Sequence, residues 1–179
     1  MARIIGYIAA SLDGFIADEN EGLDWLYKAE AELGEHHYDK FIKRIKTTVM
    51  GRTTYEWLVN QKIPFAYGGD DGRRAFVVTS RPIENPIGQL ETRSDIDALV
   101  AELRALDDGD VWMLGGGKLQ MAFLERGAID EIEIYIASAL VGGGYPLFPA
   151  TGFKAKPTLL SAKSLGPGMA RLHYSFERT

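Results

Sequence analysis

Apolar and polar residues alternate in blocks that predict a chain of strands and helices. Arg3–Ala10 is a mostly apolar run, the pattern of a strand buried on both faces. Asp13-Gly14 marks a turn, Phe15-Ile16-Ala17 resumes briefly, and Asp18–Gly22 is a polar loop. Between Ala29 and Lys46 the residues Tyr38, Phe41, Ile42 and Ile45 recur at helical spacing. Thr47–Met50 is β-branched and reads as a strand ending at Gly51, followed by a short helix over Arg52–Val59. Gly68–Gly72 is a loop, Ala75–Thr79 a buried strand, and Asp95 the N-cap of a helix running to about Leu106.

Val111–Leu114 is again a strand and Lys118–Arg126 a helix. Glu131–Ile136 alternates polar and apolar positions, and Thr158–Leu165 with Ala170–Glu177 forms a hairpin around Gly166-Pro167-Gly168. Strands alternate with helices early and turn antiparallel late, so the fold class is an α/β sandwich around a mixed, mostly parallel sheet.

Composition narrows the chemistry. The chain of 179 residues suits a single domain spanning residues 1–179 and is long enough to bury a real core. A net charge of −5 argues against a broad nucleic-acid footprint. The absence of cysteine removes disulfides, thiolate metal sites, a cysteine nucleophile and the zinc-deaminase signature together. The run Ile4–Leu12, interrupted by Gly6, is far too short to span a bilayer and reads as a strand rather than a signal peptide, which leaves the cytoplasm as the expected compartment. His36-His37 point about 100° apart on a helix and His173 is remote in sequence, so no metal site is expected.

Three strand ends carry the candidate chemistry. Val111–Leu114 opens into Gly115-Gly116-Gly117-Lys118, a turn that lets backbone N–H groups approach a ligand and aims a helix N-terminus at the same point. Such a junction suits a phosphate or pyrophosphate. Met50–Glu56 repeats the arrangement, with Gly51 for close approach, Arg52 as a cation, and the hydroxyls of Thr53 and Thr54 beside free helix N–H groups. Thr79-Ser80-Arg81-Pro82 ends a third strand with hydroxyls and a guanidinium. Loops at the carboxyl ends of adjacent strands form the usual crevice of an α/β sheet. No G-x-G-x-x-G follows the first strand, and a P-loop is excluded because Trp112 stands where its first glycine belongs and Leu119 replaces its Ser/Thr.

In order and spacing, Met50–Glu56, Val77–Pro82 and Val111–Lys118 resemble the NADPH-binding segments of the dihydrofolate-reductase superfamily. Ser11–Ala17 and the stretch from Ala139-Leu140-Val141-Gly142-Gly143-Gly144 to Leu147-Phe148 look more like the reductase domain of the bifunctional riboflavin-biosynthesis deaminase/reductase. The resemblance implies a dihydrofolate-reductase-like fold and an NADPH-dependent reductase, with a homodimer as a family-level expectation. Arg52 and Arg81, with Ser80, would hold the adenosine 2′-phosphate. Thr53 and Thr54 would cradle the pyrophosphate from one side, and Gly116, Gly117 and Lys118 from the other. Gly115-Gly116 would be joined by a cis peptide.

The resemblance also calls for a carboxylate on the first long helix. With Tyr38, Phe41, Ile42 and Ile45 as the buried stripe, Glu35 lies about 70° from its centre and Asp39 about 110°, at roughly 100° per residue. Glu35 is therefore the candidate proton source, with Asp13 and Tyr135 as the other catalytic candidates and Trp25 and Arg73 as substrate contacts. Asp24 stands where folate enzymes usually carry proline, and Gly115-Gly116-Gly117 where riboflavin-pathway reductases typically show Glu-Gly-Gly. Three readings stay open: a reductase of a small heterocycle or ribosylaminopyrimidine, an authentic dihydrofolate reductase, and a non-catalytic NADPH-binding module.

Overall fold

A computed structural model describes residues 1–30, 38–62 and 72–177. Its centre is an eight-stranded sheet built from β1 (Ile4–Ser11), β3 (Ile45–Gly51), β4 (Arg74–Val78), β5 (Leu90–Arg93), β6 (Asp110–Gly115), β7 (Glu131–Ala137), β9 (Thr158–Ser164) and β10 (Met169–Ser175). The strand order is β5-β4-β3-β6-β1-β7-β10-β9. The first six are mutually parallel, whereas β10 runs antiparallel to β7 and to β9. Two short strands, β2 (Phe15–Ala17) and β8 (Tyr145–Pro146), pair separately.

The period-two pattern of each strand sorts its side chains to two covered faces. On one face Ile4, Val49, Phe76, Val111 and Met113 pack beneath α4 (Ile96–Ala105) and α5 (Gly117–Leu124) through Leu99, Leu103, Leu119 and Phe123. On the other, α3 (Arg52–Asn60) buries Tyr55 and Leu58 against Met50 and Val77. α2 (Tyr38–Arg44) buries Phe41 against Ile5, Ile45 and Trp112, and α1 (Asp24–Glu30) places Ala29 against Tyr135 and Ala137. Helices on both faces of a mostly parallel sheet, closed by an antiparallel pair, give the three-layer architecture expected from the pattern.

The structure departs from the sequence expectation at α1, β5 and β8, which the pattern does not announce, and at the end of α2. The helical spacing through Ile45 and Lys46 overruns: α2 ends at Arg44 and Ile45 opens β3. Ile45 is fully buried and fits the stripe of the helix as well as the pleat of the strand, so periodicity alone could not assign it. The edge strand β5 leaves little mark in the sequence because Leu90–Arg93 is polar and half-exposed, with no alternation to betray it.

Candidate functional site

The three glycine- and hydroxyl-bearing strand ends meet. β3 lies between β4 and β6, with Gly51 opposite Val78 and Met50 opposite Gly115. Two helices start at this edge, α3 after Gly51 and α5 after Gly116, and neither N-cap glycine offers a side chain to the first turn. α4 shows the contrast: its N-cap Asp95 accepts from Asp97 N at 2.9 Å and Ala98 N at 3.0 Å. Such a cap is worth about 1 kcal/mol. The helices at the crevice thus keep N–H groups that side chains satisfy elsewhere.

Gly115 has φ +118°, a conformation that only glycine adopts without strain, and the Gly115–Gly116 peptide is cis. A Cβ on Gly116 would stand 3.6 Å from Thr54 Oγ1 and 3.9 Å from Ile16 Cδ1, so the two junctions and β2 converge on one point. On its far side the first turn of α5 is closed off. A Cβ at Gly117 would meet the carbonyl oxygens of Pro146 and Leu147, and the buried Gln120 donates to Leu147 O at 3.3 Å.

Arg52 is locked to the third junction. Its Nη1 donates to the carbonyls of Arg81 and Pro82, both at 3.1 Å, while its Nε meets Glu56 Oε1 at 2.6 Å. Thr79 Oγ1 accepts from Arg81 N at 3.2 Å and shapes the same turn. Ser80, Arg81, Thr53 and Lys118 are exposed around it. The side chains expected to hold phosphates therefore share one rim.

A second region opens beside this rim. β1 pairs with β6 only from Ile4 to Gly6, but with β7 as far as Ser11. Past Gly6 and Met113 the strands part, leaving a crevice between Tyr7–Ala9 and Leu114–Gly116; Trp112 Nε1 reaches Tyr7 O across its base at 3.1 Å. An aromatic group fills the α1/α2 side of it. Tyr7 stacks on Phe41 with centroids 4.2 Å apart and lies 4.7 Å from Tyr135, with Tyr38 and Trp112 edge-on. Trp25 packs against the apolar cluster of Ala29, Tyr135, Ala137 and Met169, and its indole donates to Gly22 O at 3.3 Å.

Sequence reasoning missed the charged pair beneath these rings. Glu133, 5% exposed, takes Arg171 Nε at 2.8 Å and Nη2 at 2.7 Å, and accepts from the Tyr135 hydroxyl at 3.3 Å. Glu133 sits in an alternating run whose polar positions would normally face water; here that face is roofed by α1 and α2. Burial raises the Tyr135 phenol above the ordinary tyrosine range, opposed by a hydrogen bond from Tyr7 and reinforced by the Glu133 charge. Burial likewise raises Tyr7, whose hydroxyl bonds to Tyr135.

Two expectations change, and a third lies outside the described residues. Asp13, a candidate proton donor, is an anchor: its carboxylate accepts from Ser11 Oγ at 2.6 Å, Gly142 N at 2.7 Å and Val141 N at 3.1 Å. Those bonds, Ser11 first, hold its pKa down to about 2, which unfits it to deliver a proton near neutrality. Arg73, a candidate substrate contact, donates instead to Ile45 O at 3.2 Å and Ile42 O at 3.4 Å, where it caps the end of α2. Glu35 lies outside the described residues, as do His36 and His37. Among the described residues no cluster of His, Asp and Glu could hold a metal ion, and no helix is long and apolar enough to cross a membrane.

Comparison with known proteins agrees with this geometry. The chain is 32% identical over 173 residues to the uncharacterized protein YwjB of Bacillus subtilis (strain 168), covering 96% of this chain and 97% of that one. It is 24% identical over 181 residues to YyaP of the same organism, covering 96% and 94%. Among solved structures it is similar to a putative riboflavin biosynthesis protein from Shewanella sp. PV-4, with a TM-score of 0.81 and 26% identity over 99% of this chain and all of that one. The deaminase/5-amino-6-(5-phosphoribosylamino)uracil reductase of Thermotoga maritima shares the fold, with a TM-score of 0.68 and 15% identity over 98% of this chain and 57% of that one. This chain shares the dihydrofolate-reductase-like architecture with these solved structures. The RibD C-terminal domain model matches residues 2–171, nearly the whole chain, and the protein belongs to that family.

Proposed function

We propose that this chain is an NADPH-dependent reductase of a small heterocycle, with a ribosylaminopyrimidine as the nearest substrate class. One observation carries the reading: two helices with uncapped glycine N-termini converge beside an arginine fixed to a hydroxyl-bearing turn. Glycine at 116 leaves the space a Cβ would take, so the donor set and its shape suit a pyrophosphate. Thr53 and Thr54 would hold it from the α3 side, and Gly116, Gly117 N–H and Lys118 from the α5 side. Arg52, Ser80 and Arg81 would take the 2′-phosphate.

Bound so, the cofactor would supply a hydride. The chain's own share would be to hold the reactive ring with Ile16 and Gly115, to exclude water with Trp25, Tyr7 and Phe41, and to supply a proton.

The test is consumption of NADPH in the presence of 5-amino-6-(5-phosphoribosylamino)uracil, with dihydrofolate in a parallel assay. Turnover of the pyrimidine supports the proposal. Turnover of dihydrofolate alone, blocked by an antifolate, replaces it with the folate reading. Tight NADPH binding without hydride transfer to either identifies a binding module.

A further inference from the structure

A guanidinium presents Nε–H and Nη2–H as a two-pronged fork that matches a carboxylate or a phosphate. Arg3 gives both prongs to Asp110, at 3.2 and 2.8 Å, and Arg93 gives both to Glu102, at 2.9 and 2.8 Å. Arg171 does the same with Glu133, at 2.8 and 2.7 Å. Arg52 is held differently. Its Nε meets Glu56 Oε1 at 2.6 Å, while Nη1 goes to the carbonyls of Arg81 and Pro82. Nη2 makes no bond among the described residues, so the fork is half filled. It lies at the rim, with the Glu56 side chain 50% exposed and Ser80 and Arg81 exposed on the turn that Arg52 seats.

Helix chemistry does not account for the Arg52–Glu56 pair. Arg52 is the first residue of α3, where a cation opposes the macrodipole, and arginine four residues before glutamate is the weaker order for such a pair. Nor is Glu56 needed to orient the guanidinium, because two main-chain carbonyls at 3.1 Å already fix it. What Glu56 adds is a negative charge on one prong of a fork whose other prong is open.

We propose that Glu56 sets how far this edge favours a 2′-phosphorylated dinucleotide over one with a free 2′-hydroxyl. The inference rests on the reductase reading above, under which Arg52, Ser80 and Arg81 take the 2′-phosphate. A phosphate entering the open prong meets the Glu56 carboxylate across the same guanidinium, and the like charges repel. Bidentate seating requires Glu56 to leave Nε. A 2′-hydroxyl behaves in the opposite way, because it is a donor and the carboxylate accepts from it. Glu56 therefore narrows the gap between NADPH and NADH that Arg52 and Arg81 open.

The test titrates the full chain as wild type, Glu56→Gln and Glu56→Asp at low and at high salt. The ligands are NADPH, NADH and adenosine 2′,5′-bisphosphate, which carries the 2′-phosphate without the nicotinamide. Glu56→Gln should bind NADPH and the bisphosphate about threefold tighter and NADH no tighter, so the preference for NADPH rises by about threefold or more at low salt. High salt should shrink the gain, because exposed charges are screened. Glu56→Asp keeps the charge and should stay near wild type. Loss of a helix contact alone would move neither the ratio nor its salt dependence. An unchanged ratio, weaker NADPH binding in Glu56→Gln, or a Glu56→Asp protein that behaves like Glu56→Gln overturns this proposal alone when wild type binds NADPH. A wild type that binds neither dinucleotide overturns the reductase reading, and the proposal with it.

Discussion

The two sides of the crevice are made of different material. The edge formed by β4, β3 and β6 has main chain at its centre, glycine N-caps, helix N–H groups and the carbonyls that seat Arg52, with Thr53, Ser80, Arg81 and Lys118 exposed at its rim. The other side is built from side chains: Tyr7 and Tyr135 from β1 and β7, Tyr38 and Phe41 from α2 and Trp112 from β6, with the buried Glu133–Arg171 ion pair. Main-chain donors present the same groups whatever the neighbouring residues are, so the first edge suits a constant partner. The second can be rebuilt by substitution without disturbing the sheet, so under the proposed function it is where the substrate would be chosen. A fold of this kind can keep one cofactor and change its acceptor.

The largest effect that would sharpen this contrast is expected at Gly117. Valine there would drive its side chain into the carbonyls of Pro146 and Leu147, which the backbone cannot easily yield. We expect a loss of about 2–3 kcal/mol in stability, read by denaturant unfolding, together with weakened NADPH binding. Tyr7→Phe on the other side should leave cofactor affinity untouched and change turnover alone. A Gly117→Val protein as stable as wild type would show that the 145–149 segment does not brace α5.

A smaller effect concerns the anchor beneath both sides. Asp13 has its folded pKa lowered to about 2, below an unfolded value of about 3.9. Its contribution is therefore complete above pH ~4 and disappears as the pH falls through ~2. Asp13→Ala should show faster amide exchange at Val141 and Gly142 near neutral pH, and its stability should differ from wild type less and less as the pH falls from 4 to about 2. A difference that persists unchanged at pH ~2 would mean that the carboxylate charge does not hold this loop.

The same contrast explains what could be read from the residues alone. Each element of the cofactor edge is local: a glycine or hydroxyl at a strand end, with its helix directly behind. Met50–Glu56, Thr79–Pro82 and Val111–Lys118 carry that information within a few residues, and the structure brings all three to one rim. The Glu133–Arg171 pair joins residues 38 apart through the antiparallel register of β7 and β10, and nothing near either residue announces the other. Asp13 shows a further limit. A turn aspartate and a catalytic one look alike in sequence, and only the N–H groups of Val141 and Gly142, supplied from far along the chain, distinguish them. Trp25 and Tyr135 are legible as aromatics near a pocket, but the cluster they share comes only with the docking of α1 on β7.

The central claim is that the β4-β3-β6 edge holds a 2′-phosphorylated dinucleotide. It is tested most directly by titrating wild type and Arg52→Ala with NADPH and NADH, following tryptophan fluorescence, since Trp57 lies on α3 and Trp112 at the base of the crevice. A charge-assisted contact from Arg52 to the 2′-phosphate would be worth about 1.5–3 kcal/mol, so the wild type should prefer NADPH by about tenfold or more and Arg52→Ala should erase most of that preference. Equal affinity of the wild type for the two cofactors, or binding of neither, would contradict the account.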